Sequence, residues 1–202
     1  MDLFMTPDDN LLDRDGEAVY LGPVLSRPQA DAALAQLLRE IDWQADEVIM
    51  FGRRRLTRRK TAWHGEVALA YTYAGVTRRA RPWTPLLRRL KAEVEAHAGC
   101  RFNACLLNLY HDGSEGMSWH RDNEPDLEPG AAIASLSLGA ERPFMFRHRE
   151  TDARVEVLLE HGSLLVMKGA TQTFWQHALP VRKRIEGVRV NLTFRCMRES
   201  GH

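Results

Sequence analysis

Arg189-Val190-Asn191-Leu192-Thr193-Phe194-Arg195 alternates two guanidiniums, an amide and a hydroxyl with three apolar side chains. That period predicts a β-strand with one polar, cationic face and one apolar face. A strand of this kind lines an anion pocket on one side and packs on a core on the other. Upstream of it, from Cys100 onward, short strand-like runs follow at close spacing, over residues 102–110, 133–138, 144–149, 155–159, 163–167 and 174–179. Strands at such spacing indicate an antiparallel sandwich or barrel. Two helices precede them. Ser26-Arg27-Pro28-Gln29 reads as a capping box with Pro in the first turn, and Ala30, Ala33, Leu34, Leu37, Leu38 and Ile41 continue at helical spacing. Thr84-Pro85 opens the second, with Leu86, Leu87, Leu90 and Val94 on its apolar face and Gly99 as its C-cap. The expected fold class is α+β, mainly β: a double-sheet jelly roll behind N-terminal helices, with a metal site between the sheets.

The metal is expected from His120-Arg121-Asp122 and a distant His177. Alternate residues of an extended segment project to one face, so His120 and Asp122 reach one ion while Arg121 points away. Two imidazoles and one carboxylate leave three coordination positions open, as in non-haem Fe(II) oxygenases. His-x-Asp alone is an ordinary surface pattern, and the conjunction with His177 and the arginine-bearing strand carries the weight. Asn108 and Tyr110 share a strand face by period two. His161 in its His-Gly-Ser turn reads as structural, and His64, His97, His111 and His148 read as surface residues without ligand spacing.

The 202 residues are expected to form one domain with a sizeable core. The apolar fraction is 44% and no apolar run approaches the roughly 20 residues that span a bilayer, so no membrane span is expected. The start, MDLFMTPDDN, lacks the basic and apolar regions of a secretory signal, and three cysteines without a C-x-x-C pair argue against a disulfide framework or a zinc ribbon. A monomer in a reducing cytoplasm is the expectation.

The net charge of +1 conceals segregation: residues 1–50 carry 3 basic and 11 acidic side chains, and residues 51–100 carry 12 basic and 3 acidic. Arg53, Arg54, Arg55, Arg58, Arg59 and Lys60 crowd one short stretch, and Arg78, Arg79 and Arg81 follow. Alone, such a run is a solvated surface. Phe51, Trp63, Tyr71, Tyr73 and Trp83 interleave with it, and cations for phosphates beside flat rings for bases suit a nucleic-acid groove.

Several runs together resemble the AlkB family. They are Asn108-Leu-Tyr110-His-Asp-Gly113, His120-Arg-Asp122-Asn123-Glu124, Ile133-Ala-Ser-Leu-Ser-Leu-Gly139, His161-Gly-Ser-Leu-Leu165, His177-Ala-Leu-Pro-Val-Arg182 and Arg189–Arg195. Upstream, Phe51-Gly52, Arg59-Lys60-Thr-Ala-Trp63 and Tyr71-Thr-Tyr73-Ala-Gly75 extend the likeness, which spans roughly residues 45 to 197 and points to the branch that repairs double-stranded DNA. The resemblance implies an Fe(II)- and 2-oxoglutarate-dependent dioxygenase that removes methyl groups from base nitrogens such as those of 1-methyladenine and 3-methylcytosine, releasing formaldehyde, succinate and CO2. It implies a double-stranded β-helix, with residues 1–45 an N-terminal extension and helix, 46–82 a nucleotide-recognition lid, and 83–197 a helix plus catalytic core.

Carried over by position, the resemblance assigns iron to His120, Asp122 and His177, and 2-oxoglutarate to Asn108, Tyr110, Arg189, Asn191, Thr193 and Arg195. Arg189 is expected at the C5 carboxylate and Arg195 at the C1 end, since a bidentate fork suits a carboxylate. Phe51, Gly52, Arg53 and Arg59 match a duplex-probing hairpin whose apolar tip fills the gap left by an extruded base. Tyr73 matches a stacking platform, Tyr71 a hydrogen-bonding neighbour with Thr72 between them, and Asn123 and Glu124 positions that read the base edge. In that branch an acidic residue stands where Asn123 stands here. Alkylated DNA, single- or double-stranded, is the expected partner. RNA demethylation and a non-catalytic nucleic-acid module with a structural metal are the alternatives, the latter opposed by the count of three ligands, since structural zinc closes with four.

Overall fold

The computed structural model describes residues 9–50, 53–66, 70–73 and 76–198, with the backbone alone described for residues 46–50, 53–56, 70–73 and 76–79. Element order is β1 (Glu17–Pro23), α1 (Arg27–Glu40), β2 (Gln44–Met50), β3 (Arg53–Gly65), β4 (Ala70–Tyr73), β5 (Val76–Arg79) and α2 (Pro85–Ala98). Then come β6 (Ala104–Tyr110), β7 (Met117–His120), β8 (Ile133–Gly139), β9 (Arg142–His148), β10 (Arg154–Leu159), β11 (Ser163–Lys168), the short α3 (Thr171–Phe174), β12 (Trp175–Leu179) and β13 (Arg189–Arg195).

A seven-stranded sheet in the order β1-β11-β8-β13-β6-β3-β2 faces a four-stranded sheet in the order β10-β9-β12-β7, while β4 and β5 pair with each other. This is the expected jelly roll. All pairings between these strands are antiparallel. Strand ends differ from the sequence reading by a residue or two: residues 102 and 103 lead into β6, and Phe174 closes the turn of α3 before β12 begins. The strands ahead of α2 go beyond the expected hairpin. Glu17–Pro23 forms an edge strand on β11, the inner part of β3 joins the major sheet beside β6, and β4 pairs with β5, so the N-terminal region contributes to the major sheet as well as a helix.

Both helices form where their caps predict. The Gln29 side chain accepts the Ser26 N–H at 2.9 Å, and Thr84 Oγ1 accepts the Leu87 N–H at 3.2 Å. Gly99 ends α2 with φ +67°, a left-handed conformation that favours glycine. Leu37 of α1 and Leu87, Leu90 and Val94 of α2 pack with Leu107, Leu136, Val190, Leu192 and Phe194 behind the major sheet. A second cluster, including Phe144, Phe146, Leu165, Trp175 and Leu179, fills the space between the sheets. Because β13 presents its apolar residues to the helices, period two directs Arg189, Asn191, Thr193 and Arg195 into the space between sheets. None of the described helices is long and apolar enough to cross a membrane.

Candidate metal and cosubstrate site

β7 and β12 are neighbours in the minor sheet, and His120 stands opposite His177 in their register. The two rings meet edge-on with centroids 4.2 Å apart. β7 ends at His120, so Asp122 reaches the same point from the segment beyond the strand rather than from strand alternation. One ligand atom from each of His120, Asp122 and His177 lies within 4.8 Å of the others. Each is held from behind. His120 Nδ1 meets the Ser118 carbonyl at 2.8 Å, which directs Nε2 to the shared point. His177 stacks on Phe144 at 5.4 Å. The Asp122 backbone N–H donates to Gln172 Oε1 at 3.0 Å.

Electrostatics match metal binding, which needs neutral imidazole and ionised carboxylate. Burial, with His120 beside it, drives the His177 imidazole down to about 3, so the ring is neutral with a free lone pair. Burial acts to raise the Asp122 carboxyl, but Arg195, with His177 and His120, holds it below its ordinary value. Arg195 Nη2 lies 3.0 Å from Asp122 and its Nη1 3.3 Å from Glu124.

Beneath this point the wall comes from β6, β8 and β13. Arg189 is 3% exposed, donates to Ser137 Oγ at 2.9 Å and lies 5.5 Å from the Tyr110 ring centroid. Burial lowers its guanidinium to about 10, which leaves it charged at neutral pH. Asn191 donates to Ser135 Oγ at 2.7 Å and accepts from Thr193 at 3.0 Å. Among the described residues, Arg189 Nε and Asn108 Oδ1 are buried without a hydrogen-bond partner. Buried polar atoms left open in one pocket are costly unless a ligand meets them: a dicarboxylate supplies the acceptor that Arg189 Nε–H needs, and a water-derived ligand on iron would supply a donor for Asn108 Oδ1. The residues therefore fit iron(II) and 2-oxoglutarate.

All nine expected metal and cosubstrate residues line this one pocket. The expected substrate residues divide. Glu124 lines it too, its carboxylate engaged by Arg195. Asn123 does not: it is exposed and lines the neighbouring cleft, standing between Asp122 and Glu124, which both face the pocket. Arg59 also differs from expectation. It is not at the hairpin tip but 5% exposed on β3, inside the pocket, where it donates to Met117 Sδ at 3.1 Å and lies 5.9 Å from the Tyr110 centroid. Phe51 and Gly52 lie outside the described residues, between the paired ends Met50 and Arg53. Arg53 opens β3, and Tyr71, Thr72 and Tyr73 form β4, with only their backbone described.

His64 and His148, expected at the surface, are buried. His64 Nδ1 meets the Pro82 carbonyl at 2.9 Å, and His148 Nδ1 accepts the N–H groups of Glu150 and Thr151, fixing a turn. His161 is structural, linking Gly139 to Asp31 of α1. Sequence reasoning missed Ser135 and Ser137, which the alternation of Ile133–Gly139 could have placed on the pocket face. It also missed Gln172, for which the sequence holds no signal.

Two imidazoles and a carboxylate converging between jelly-roll sheets, above buried arginines, are the arrangement of a non-haem iron oxygenase. Comparison with known proteins narrows that class. Residues 17–195 match the 2OG-Fe(II) oxygenase superfamily. The mouse protein named DNA oxidative demethylase ALKBH2 is 39% identical over 201 residues, covering 94% of this chain and 84% of that one. Human DNA oxidative demethylase ALKBH2 is 39% identical over 183 residues, 85% of this chain and 70% of its own. Human alpha-ketoglutarate-dependent dioxygenase alkB homolog 3 is 38% identical over 213 residues, 95% and 74%. The solved structure described as "The structure of OsALKBH1" shares the fold, with TM-score 0.62 at 17% identity over 91% of this chain and 99% of that one. The chain belongs to the AlkB family of 2OG-Fe(II) oxygenases, which are dioxygenases using iron(II), 2-oxoglutarate and dioxygen.

Proposed function

We propose that this protein is an oxidative demethylase of N-alkylated bases in DNA, such as 1-methyladenine and 3-methylcytosine. In this reading His120, Asp122 and His177 hold iron(II), and Asn108, Tyr110, Arg189, Asn191, Thr193 and Arg195 receive 2-oxoglutarate. The observation that carries it is one pocket in which three convergent ligand atoms stand above a buried, charged Arg189. The names of the similar mammalian proteins support DNA as the substrate. When bound, iron(II) with 2-oxoglutarate and dioxygen supplies the oxidation that hydroxylates an N-methyl group, giving succinate and CO2, after which the N–CH2OH group loses formaldehyde.

The chain's own residues supply positions and exclude water. Arg189 meets the distal carboxylate, and Tyr110 packs against its guanidinium. Arg195 orients Asp122 and faces the proximal end of the cosubstrate. Glu124 places a carboxylate near a cationic methylated base, and Arg59 forms the lid-side wall of the pocket. A base in a duplex must flip out to arrive there, at a cost smallest where alkylation has already broken its pairing. Phe51, Gly52 and Arg53 meet the duplex, and Tyr71, Thr72 and Tyr73 the extruded nucleotide. A monomer working in a reducing cytoplasm, where Cys100, Cys105 and Cys196 stay thiols, completes the reading.

The test is incubation with iron(II), 2-oxoglutarate and ascorbate against methylated single-stranded DNA, double-stranded DNA and RNA, read by mass spectrometry for loss of the methyl group and by formaldehyde release. Phe51→Ala should spare single strands and impair duplexes. Activity confined to RNA would displace DNA as the substrate, and no demethylation of any oligonucleotide would remove the proposal.

A further inference from the structure

Consecutive arginines of β3 take opposite directions. Between the register pairs Ala45↔Lys60 and Glu47↔Leu56, β2 has one residue, Asp46, and β3 has three, Thr57, Arg58 and Arg59. Extra residues on one strand bend it, while Arg59 keeps the alternate-residue face of Thr61 and Trp63, which also line the pocket. Arg59 turns into the pocket, while Arg58 turns out over the loop that joins β6 to β7. There its guanidinium lies 3.3 Å from Asp112 and 3.5 Å from Glu115, and Nη1 donates to Ser114 Oγ at 3.4 Å.

That loop is tied down on its other side. The Glu115 side chain is 5% exposed and accepts from the His111 backbone at 3.1 Å and the His111 ring at 3.0 Å. Arg142, fully buried, donates to the carbonyls of Glu115 at 2.9 Å and Pro180 at 2.8 Å. Gly113 exchanges backbone hydrogen bonds with Ile185 and Arg182, and a Cβ there would collide with the Arg182 carbonyl. The loop runs into β7, which ends at His120, and Pro180 follows β12, which carries His177. By contrast, among the described residues β3 pairs with β6 only from Lys60 inward, and its outer part pairs with β2 alone.

We propose that Arg58 is a positioning residue: through Asp112 and Glu115 it sets the β2–β3 hairpin against the strands that carry His120 and His177. It thereby governs engagement of the duplex and not the chemistry. The inference rests on the demethylase reading above. An ion pair between free surface side chains contributes little, because both must be immobilised. Here the acceptors are already ordered, and only Arg58 loses rotamer freedom.

Arg58 is itself a cation on a nucleic-acid-facing segment, so its removal alone does not separate a latch from a phosphate contact. Asp112→Asn does, because the two explanations have opposite sign. If Asp112 acted only as a negative charge near DNA, neutralising it would tighten duplex binding. As half of the latch, its loss should raise KM for a methylated duplex by about two- to fivefold, the range of a surface ion pair. The kcat and the KM for 2-oxoglutarate should not move, and single strands should be affected less. In the Arg58→Ala/Asp112→Asn double variant the second change should add nothing. Amide hydrogen exchange over residues 44–60, measured without substrate, should be faster in each single variant than in wild type. Faster exchange in the variants of a protein inactive on methylated DNA would defeat the demethylase reading and leave the latch standing. Tighter duplex binding by Asp112→Asn, or unchanged hairpin exchange, overturns the latch.

Discussion

β13 and the outer part of β3 are arginine-bearing strands of the same sheet, and they use arginine in opposite settings. β13 lies between β6 and β8, and all seven of its residues are buried. Among the described residues the outer part of β3 has β2 as its sole strand neighbour, and it has a bulge within it. A strand hydrogen-bonded on both edges fixes the direction of every side chain, which suits groups that must meet a small cosubstrate within tenths of an ångström. The outer part of β3 is set by fewer strand pairings, and in the proposed function it meets a partner larger than the pocket. If chemistry and recognition occupy separable parts of one sheet in this way, variants should divide the same way.

The largest effect belongs to the ligands. His177→Ala should bring formaldehyde release below detection while the protein still melts cooperatively, because an open metal site is not a folding staple. Wild-type turnover with full metal content would break the assignment. Next is Arg189→Ala, which leaves a carboxylate unpaired in a buried pocket. Calorimetry should show 2-oxoglutarate affinity weakened by about 2 to 5 kcal/mol. Unchanged affinity would shift that role to Arg195 or to Tyr110.

Smaller, and informative because no ligand is touched, is Gln172→Leu. It removes the acceptor of the Asp122 N–H while keeping similar bulk. Metal affinity, measured by titration of the apoprotein, should fall by about 10- to 100-fold, the usual range for groups that orient a ligand. Affinity equal to wild type would mean that Arg195 alone fixes Asp122. The smallest effect on chemistry belongs to the hairpin. Changing Arg53, Arg54 and Arg55 together to Glu should lower the slope of log affinity for DNA against log salt by about 0.9 for each phosphate no longer neutralised, with 2-oxoglutarate turnover in the absence of DNA unchanged. A salt slope equal to wild type would assign these arginines to plain solvation.

Legibility in the sequence followed the same division. Arg189–Arg195 was readable residue by residue because a central strand obeys period two without interruption, and helices α1 and α2 because their caps satisfy otherwise orphaned N–H groups. Asp122 was found with a partly mistaken geometry, since β7 stops at His120 and the carboxylate arrives from the segment beyond. His64 and His148 look like surface residues in the chain because polarity predicts exposure, yet each is buried once its ring nitrogen finds a backbone partner.

The sequence by itself determined the periodicities, the ligand types and the segregation of charge, since these depend on the order of residues and on local backbone preference. Only the tertiary structure decided that His177 faces His120 across a strand pair, that Gln172 holds Asp122, that Asn123 leaves the pocket, and that Arg58 meets Asp112 and Glu115. Those outcomes are settled by strand register and by which buried polar groups must find partners, and both depend on segments distant along the chain.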